Sequence, residues 1–126
     1  MPTSRAPKVQ GKTPDYYFIQ ASKHSMANHL TIAIESLHKG LAINDTHLLC
    51  RFTHGVLMFK LGLFSQAKFD FEYICDLYPK EKLLKFNHAL TLLQLGKHDE
   101  ASKVLDVLIK LFQKSIGKSM ISESTD

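Results

Sequence analysis

The residues of this sequence that are best suited to chemistry are seven histidines and two cysteines. Metal sites and catalytic nucleophiles need such residues at short, fixed spacings, as in a Cys-x-x-Cys pair or a His-Glu-x-x-His helix. Neither motif occurs, and Cys50 and Cys75 each lie alone in an apolar stretch. We therefore predict buried, reduced thiols, with no metal site, no cofactor and no enzymatic activity.

Two pairs of acidic residues are the next candidates for acid–base chemistry: Asp70 with Glu72, and Asp99 with Glu100. Neither pair lies beside a nucleophile motif or a Gly-rich phosphate loop, which catalysis or nucleotide binding would require. We predict that these carboxylates are solvated, or that they lie in the first turn of a helix, where negative charge is favourable.

The basic charge of the chain is concentrated at its N-terminus. Residues 1–13 contain Arg5, Lys8 and Lys12 without an acid, and these three account for most of the formal net charge of +4. The remaining chain mixes both signs, which argues against a nucleic-acid partner. No apolar run is long enough to span a membrane or to form the core of a signal peptide. We expect a flexible basic tail at 1–13, no membrane partner and a cytoplasmic location.

A period of about 34 residues runs through the rest of the chain. The matched pairs include His54 with His88, Gly55 with Ala89, Leu61 with Leu95, Gly62 with Gly96, and Ala67 with Ala101. Helix-favouring residues dominate and proline is rare, so each repeat is expected to be a pair of helices. The period predicts repeats at 14–47, 48–81 and 82–115, followed by a polar tail at 116–126. We place six helices at about 15–27, 31–43, 47–60, 64–77, 81–94 and 98–115.

Over about residues 14–115 the sequence resembles the tetratricopeptide repeat family, whose helix-turn-helix unit has the same period, and the middle of the three repeats matches best. The residues that carry this resemblance are Gly55, Leu61, Gly62, Phe64, Ala67, Phe71 and Pro79. The resemblance implies an all-α, right-handed solenoid of helical hairpins with a concave, ligand-binding inner wall. It also implies protein–protein interaction as the function. The sequence departs from the family at Arg51 and Lys85, where an aromatic residue is usual.

The first helix of each hairpin carries an apolar stripe in addition to the residues that match the family's packing positions. The stripes consist of Leu49, Phe52, Val56 and Phe59, and of Leu83, Phe86, Leu90 and Leu93. Spacings of 3, 4 and 3 place each set on one helix face. By this resemblance, the stripe positions correspond to the concave inner wall of the family's superhelix. We therefore predict that both stripes, joined by Phe18, bind an apolar helix or extended segment of a partner protein.

Two other roles for the stripes remain open. The chain's own residues could cover them as part of the core, in which case they would not bind a partner. The chain could also be a purely structural repeat segment that self-associates or caps a larger helical assembly, instead of an adaptor or scaffold subunit.

The last predicted helix is apolar over an unusually wide face. Val104, Leu105, Leu108, Leu111 and Phe112 form one side, which Val107 and Ile109 extend. Helical arrays usually close with a polar outer face. We therefore predict that this end contacts another chain or a second copy. Elsewhere, His54 and His88 share a repeat position, and we predict that both form hydrogen bonds between helices, with Gln20 as the third member of the series.

Overall fold

The computed structural model describes residues 11–124, with side chains described up to residue 117. The described part is all-α, without a strand, as the sequence predicts. The helices are α1 Pro14–Met26, α2 Leu30–Ile43, α3 Leu48–Lys60, α4 Phe64–Leu77, α5 Lys82–Gln94 and α6 His98–Ser124. Residues 1–10 of the predicted basic tail lie outside the described residues. The first five helices begin and end within one residue of their predicted bounds.

The turn inside each hairpin is built in the same way in all three repeats. Asn28, Gly62 and Gly96 follow one another at the repeat spacing and have positive φ angles of 65°, 79° and 75°. After α3, the Leu63 N–H donates to the Met58 carbonyl at 2.8 Å, and the Gly62 N–H donates to the Phe59 carbonyl at 3.0 Å. This pair of bonds is a Schellman cap, which needs a residue that tolerates the left-handed region. The repeat therefore exists in the backbone as well as in the sequence.

The last helix corrects one prediction. We expected α6 to end at residue 115 and residues 116–126 to form a polar tail, but α6 continues to Ser124. No proline follows Pro79 to stop it. Once a helix is nucleated, each added residue contributes a backbone hydrogen bond, and one glycine, Gly117, costs only about 1 kcal/mol. Residues 125 and 126 lie outside the described part.

The chain divides into two compact units, Met1–Asp70 and Phe71–Asp126, with the boundary inside α4. In the first unit α1, α2 and α3 pack around a core of small and aliphatic residues, consisting of Ala21, Ala33, Leu37, Cys50 and Leu57. Gly40 marks the closest approach there. A Cβ at Gly40 would lie 2.8 Å from the Cys50 sulfur and 3.2 Å from the Tyr17 Cβ, so only glycine fits without a shift.

In the second unit α5 packs against α6. The buried residues of these two helices are Leu84, Ala89, Thr91, Leu92, Ala101 and Leu108. Ala67 in the first unit and Ala101 in the second are fully buried. This agrees with their predicted role as small side chains that allow helices to approach closely.

Candidate functional site

An apolar groove lies between α5 and α6 in the second unit. It has a volume of about 660 Å³, which falls in the range of ligand-binding pockets. The lining residues are Lys82, Leu83, Phe86, Leu105, Leu108, Ile109 and Phe112. All of these except Lys82 are apolar, so the groove offers a partner almost no hydrogen-bonding groups. The groove can therefore accommodate an apolar surface of a partner.

The groove follows from the spacing of large apolar residues on two adjacent helices. Leu83 and Phe86 are one turn apart on α5, and Leu105, Ile109 and Phe112 follow one another at one-turn spacings on α6. Leu108 is almost fully buried beneath them and forms the floor. The walls remain in water: Leu83 is 59% exposed, Ile109 52% and Phe112 49%. Exposure of several large side chains at one place marks an interaction surface.

One charged residue lies at the edge of this groove. The Lys82 Nζ lies 5.6 Å from the centre of the Phe112 ring, at the distance of a cation–π contact. Lys82 is also the only charged member of the lining set. An occupant with an acidic residue near this end would therefore match the groove in charge as well as in polarity.

The predicted stripe of the second unit lies only partly in the groove. Leu83 and Phe86 line it, whereas Leu90 and Leu93 do not. Leu93 is still exposed, and Leu90 is half-buried. The other wall of the groove comes from α6.

The predicted stripe of the first unit is more strongly buried. Leu49 is exposed, but Phe52, Val56 and Phe59 are half-buried. The Phe59 ring packs edge-on against Phe64, with centroids 5.0 Å apart. Phe18 packs against the core of the first unit. These residues offer less free surface than Leu83 and Phe86.

The α6 wall was missed as part of the site, although its residues were recognised as apolar. The sequence suggested one broad face that included Val104 and Val107. In the structure those two residues line a different surface, while Leu105, Ile109 and Phe112 line the groove. The sequence did contain a sign of this α6 wall. The apolar face of α6 carries more large side chains than one packing contact needs.

A polar network in the first unit corrects a second expectation. Asp70, which we expected on the solvated surface, is only 1% exposed. Its carboxylate accepts from the Arg51 guanidinium at 3.0 Å and from the His54 Nδ1 at 2.6 Å. The reason is Arg51 itself, whose charge needs a partner within the packed helices.

The network continues from His54 to a second histidine. Because a carboxylate only accepts, His54 Nδ1 carries a proton, and its Nε2 is left to face the His38 Nε2 at 3.2 Å. Burial lowers the pKa of His38, and neighbouring His54 lowers it further, while Asp70 and Glu35 act in the opposite direction. In the second unit His88 approaches Glu72 at 3.3 Å. Hydrogen bonding by both His54 and His88 is confirmed.

The cysteines are free thiols in the structure. Burial raises the pKa of Cys50 to about 11, with a smaller contribution from the Asp15 carboxylate. Burial likewise raises the pKa of Cys75. Both thiols are therefore poor nucleophiles at neutral pH. Within the described residues there is no group of three or more histidine, cysteine or acidic side chains able to hold a metal ion. Nor is any described helix both long and apolar enough to cross a membrane.

The fold resembles that of MamA. A crystal structure of MamA superposes with a TM-score of 0.78 at 20% sequence identity, over 83% of this chain and 61% of that one. A mutant form of MamA superposes with a TM-score of 0.70 at 23% identity, over 78% of this chain and 72% of that one. These likenesses confirm the helical-hairpin repeat fold. The chain spans less than two thirds of the length of the first of these structures. No protein-family model and no curated protein matches the sequence.

Proposed function

We propose that this chain is a protein-interaction module of the tetratricopeptide type, and not an enzyme, that binds an amphipathic helix of another protein. The observation that carries the proposal is the α5–α6 groove, whose walls are large apolar side chains left in water. Each such side chain forgoes roughly 1.5–3 kcal/mol while it stays solvated. A partner that covers several of them therefore gains most of its binding energy from this one surface.

The shape and charge of the groove favour a helix as its occupant. Leu83 and Phe86 on one wall, and residues of α6 on the other, are spaced along helix axes at one-turn intervals. A helix with apolar residues at i, i+3 or i+4, and i+7 presents matching intervals. Backbone hydrogen bonds inside the helix satisfy its own polar groups, which the groove cannot. Lys82 then favours an acidic residue at one end of that helix.

The other predicted stripe residues are a second part of this proposal, and each is considered within its own unit. We propose that they also contact a partner: Phe18, Leu49, Phe52, Val56 and Phe59 in the first unit, and Leu90 and Leu93 in the second. We expect them to contribute less than Leu83 and Phe86. Phe52 and Phe59 are half-buried, which leaves them less surface to give to a partner.

Two α6 variants test the proposal with a matched control. Ile109 and Val107 are both about half exposed on the same helix, but only Ile109 lines the groove. Pull-downs from native lysate use three forms of this chain as bait: the parent, Ile109→Lys and Val107→Lys. Mass spectrometry identifies the captured proteins. A photo-crosslinking residue at position 112 reports which segment of the captured protein lies in the groove.

The proposal expects a protein that the parent and Val107→Lys capture and Ile109→Lys does not, crosslinked through an amphipathic helix. Equal capture by Ile109→Lys would overturn it. Light scattering over a range of concentrations tests the structural alternative. A mass that doubles with concentration, and returns to that of a monomer in Ile109→Lys, would identify the occupant as a second copy and replace the adaptor proposal.

A further inference from the structure

The contact between α2 and α3 contains two imidazoles in an arrangement suited to a shared metal ion. The Nε2 atoms of His38 and His54 lie 3.2 Å apart. Two nitrogens bound to one tetrahedral ion at about 2.0–2.1 Å lie roughly 3.3 Å from each other. The distance observed is therefore the separation that two ligands of one ion would have.

The orientation of the rings agrees with this interpretation. Their centroids are 5.1 Å apart and their planes are tilted by 42°. If the two ring axes were collinear with the line between the Nε2 atoms, the same nitrogen distance would place the ring centroids farther apart than this. The ring axes of His38 and His54 are thus bent away from the line that joins the nitrogens, and two ligands of one tetrahedral ion also need bent axes.

The buried carboxylate behind His54 supplies the outer support that a metal-binding imidazole usually has. Asp70 accepts the Nδ1 proton of His54 at 2.6 Å, and Arg51 holds the same carboxylate at 3.0 Å. This contact fixes the tautomer that leaves the Nε2 lone pair available. His38 lies on the exposed side, so water has access to the pair.

The equivalent contact in the second unit shows what is particular to the first. Glu72 stands one repeat after His38 and pairs with His88 at 3.3 Å, which is an ordinary carboxylate–imidazole contact. Val104 stands one repeat after Asp70. The contact in the first unit therefore differs in two respects. His38 supplies a second imidazole, and the buried Asp70 carboxylate holds the imidazole of His54.

We propose that His38 and His54 bind one divalent transition-metal ion, of the Zn²⁺ class, through their two Nε2 atoms. Asp70 is the positioning residue for His54. Water completes the coordination, because no described residue supplies a third histidine, cysteine or acidic ligand in one group with the pair. Such an ion braces α2 against α3. This site is independent of the groove between α5 and α6.

The test uses untagged full-length protein from which metal has been removed with a chelator. Zn²⁺ is titrated by calorimetry, and Co²⁺ is added to record the visible absorption of a tetrahedral nitrogen site. The proposal expects saturable binding of one ion per chain. It expects His38→Gln and His54→Gln each to weaken Zn²⁺ binding at least tenfold, and His88→Gln in the second unit to bind like the parent.

His38→Gln is the decisive variant, because position 38 is exposed and glutamine can still form a hydrogen bond to His54. If His54→Gln disturbs folding, as circular dichroism would show, His38→Gln decides the question alone. Absence of saturable Zn²⁺ binding in the parent would overturn the proposal. Unchanged affinity in His38→Gln would overturn it equally, and the two rings would then form a neutral hydrogen bond with no metal role.

Discussion

Replacing Asp70 by alanine should destabilise the chain far more than an acid-to-alanine change at the helix surface. Asp70 is almost fully buried, and its two partners are also largely covered, with side-chain exposures of 13% for Arg51 and 14% for His54. The change removes the carboxylate that accepts from Arg51 at 3.0 Å and from His54 at 2.6 Å.

The size of the effect follows from these contacts. Breaking a buried ion pair from one side typically costs about 3–5 kcal/mol. Arg51 keeps two bonds to the Asp45 carbonyl, at 3.3 and 3.0 Å, so the loss should fall near the lower end, at about 3 kcal/mol. For a chain of this size that corresponds to a fall in melting temperature of roughly 10 °C.

Glu72→Ala is the matched control, since Glu72 lies close by in sequence, also contacts a histidine, and is 41% exposed. Partly exposed pairs contribute about 0–1 kcal/mol. Urea unfolding followed by circular dichroism measures both variants. Similar small losses for Asp70→Ala and Glu72→Ala would refute the argument, because they would mean that the buried carboxylate is not needed to balance Arg51 and His54.

Three further predictions follow from single contacts. Gly40→Ala should cost about 1–3 kcal/mol of unfolding free energy, because its Cβ would overlap the Cys50 sulfur, whereas Gly117→Ala, which meets open space, should not destabilise in the same urea titration. The pKa of His38 is lower in the folded chain than in the unfolded chain. The contribution of neutral His38 to stability is therefore present above pH about 6.5 and is lost as pH falls through the pKa of folded His38. His38→Gln should flatten that part of the stability–pH curve, and an unaltered curve would contradict the assignment. Cys50, buried and with its pKa raised to about 11, should react with iodoacetamide only when the chain unfolds, as mass spectrometry during a urea titration would show.

Much of the fold could be predicted because each repeat solves the same packing problem with the same residue types. Ala67 and Ala101 lie at buried crossings, and Gly62 and Gly96 supply the positive φ of each turn. These requirements are local and recur once in every repeat, so one sequence reveals them by comparison with itself. Asn28 fits the same scheme, because asparagine tolerates the left-handed region.

The candidate site was less predictable because it depends on which helices face each other. Spacing on α5 indicated that Leu83 and Phe86 share a face, but it could not show that α6 would supply the opposite wall. Asp70 was misplaced for a similar reason, since its burial depends on Arg51 from a different helix. The sequence contained a sign of this: Arg51 stands one repeat after Tyr17, and a charge at a packed helix position needs a buried partner.

The proposed function requires that Phe86 belong to a binding groove and not to the core. The most direct test measures affinity for the captured partner and unfolding free energy on the same variant, Phe86→Ala. Because the ring is 46% exposed, we predict a loss of about 2 kcal/mol in binding, or roughly thirtyfold in Kd, with stability reduced by about 1 kcal/mol or less. Stability reduced by about 3–5 kcal/mol with unchanged affinity would contradict the claim, because that is the result expected of a core phenylalanine.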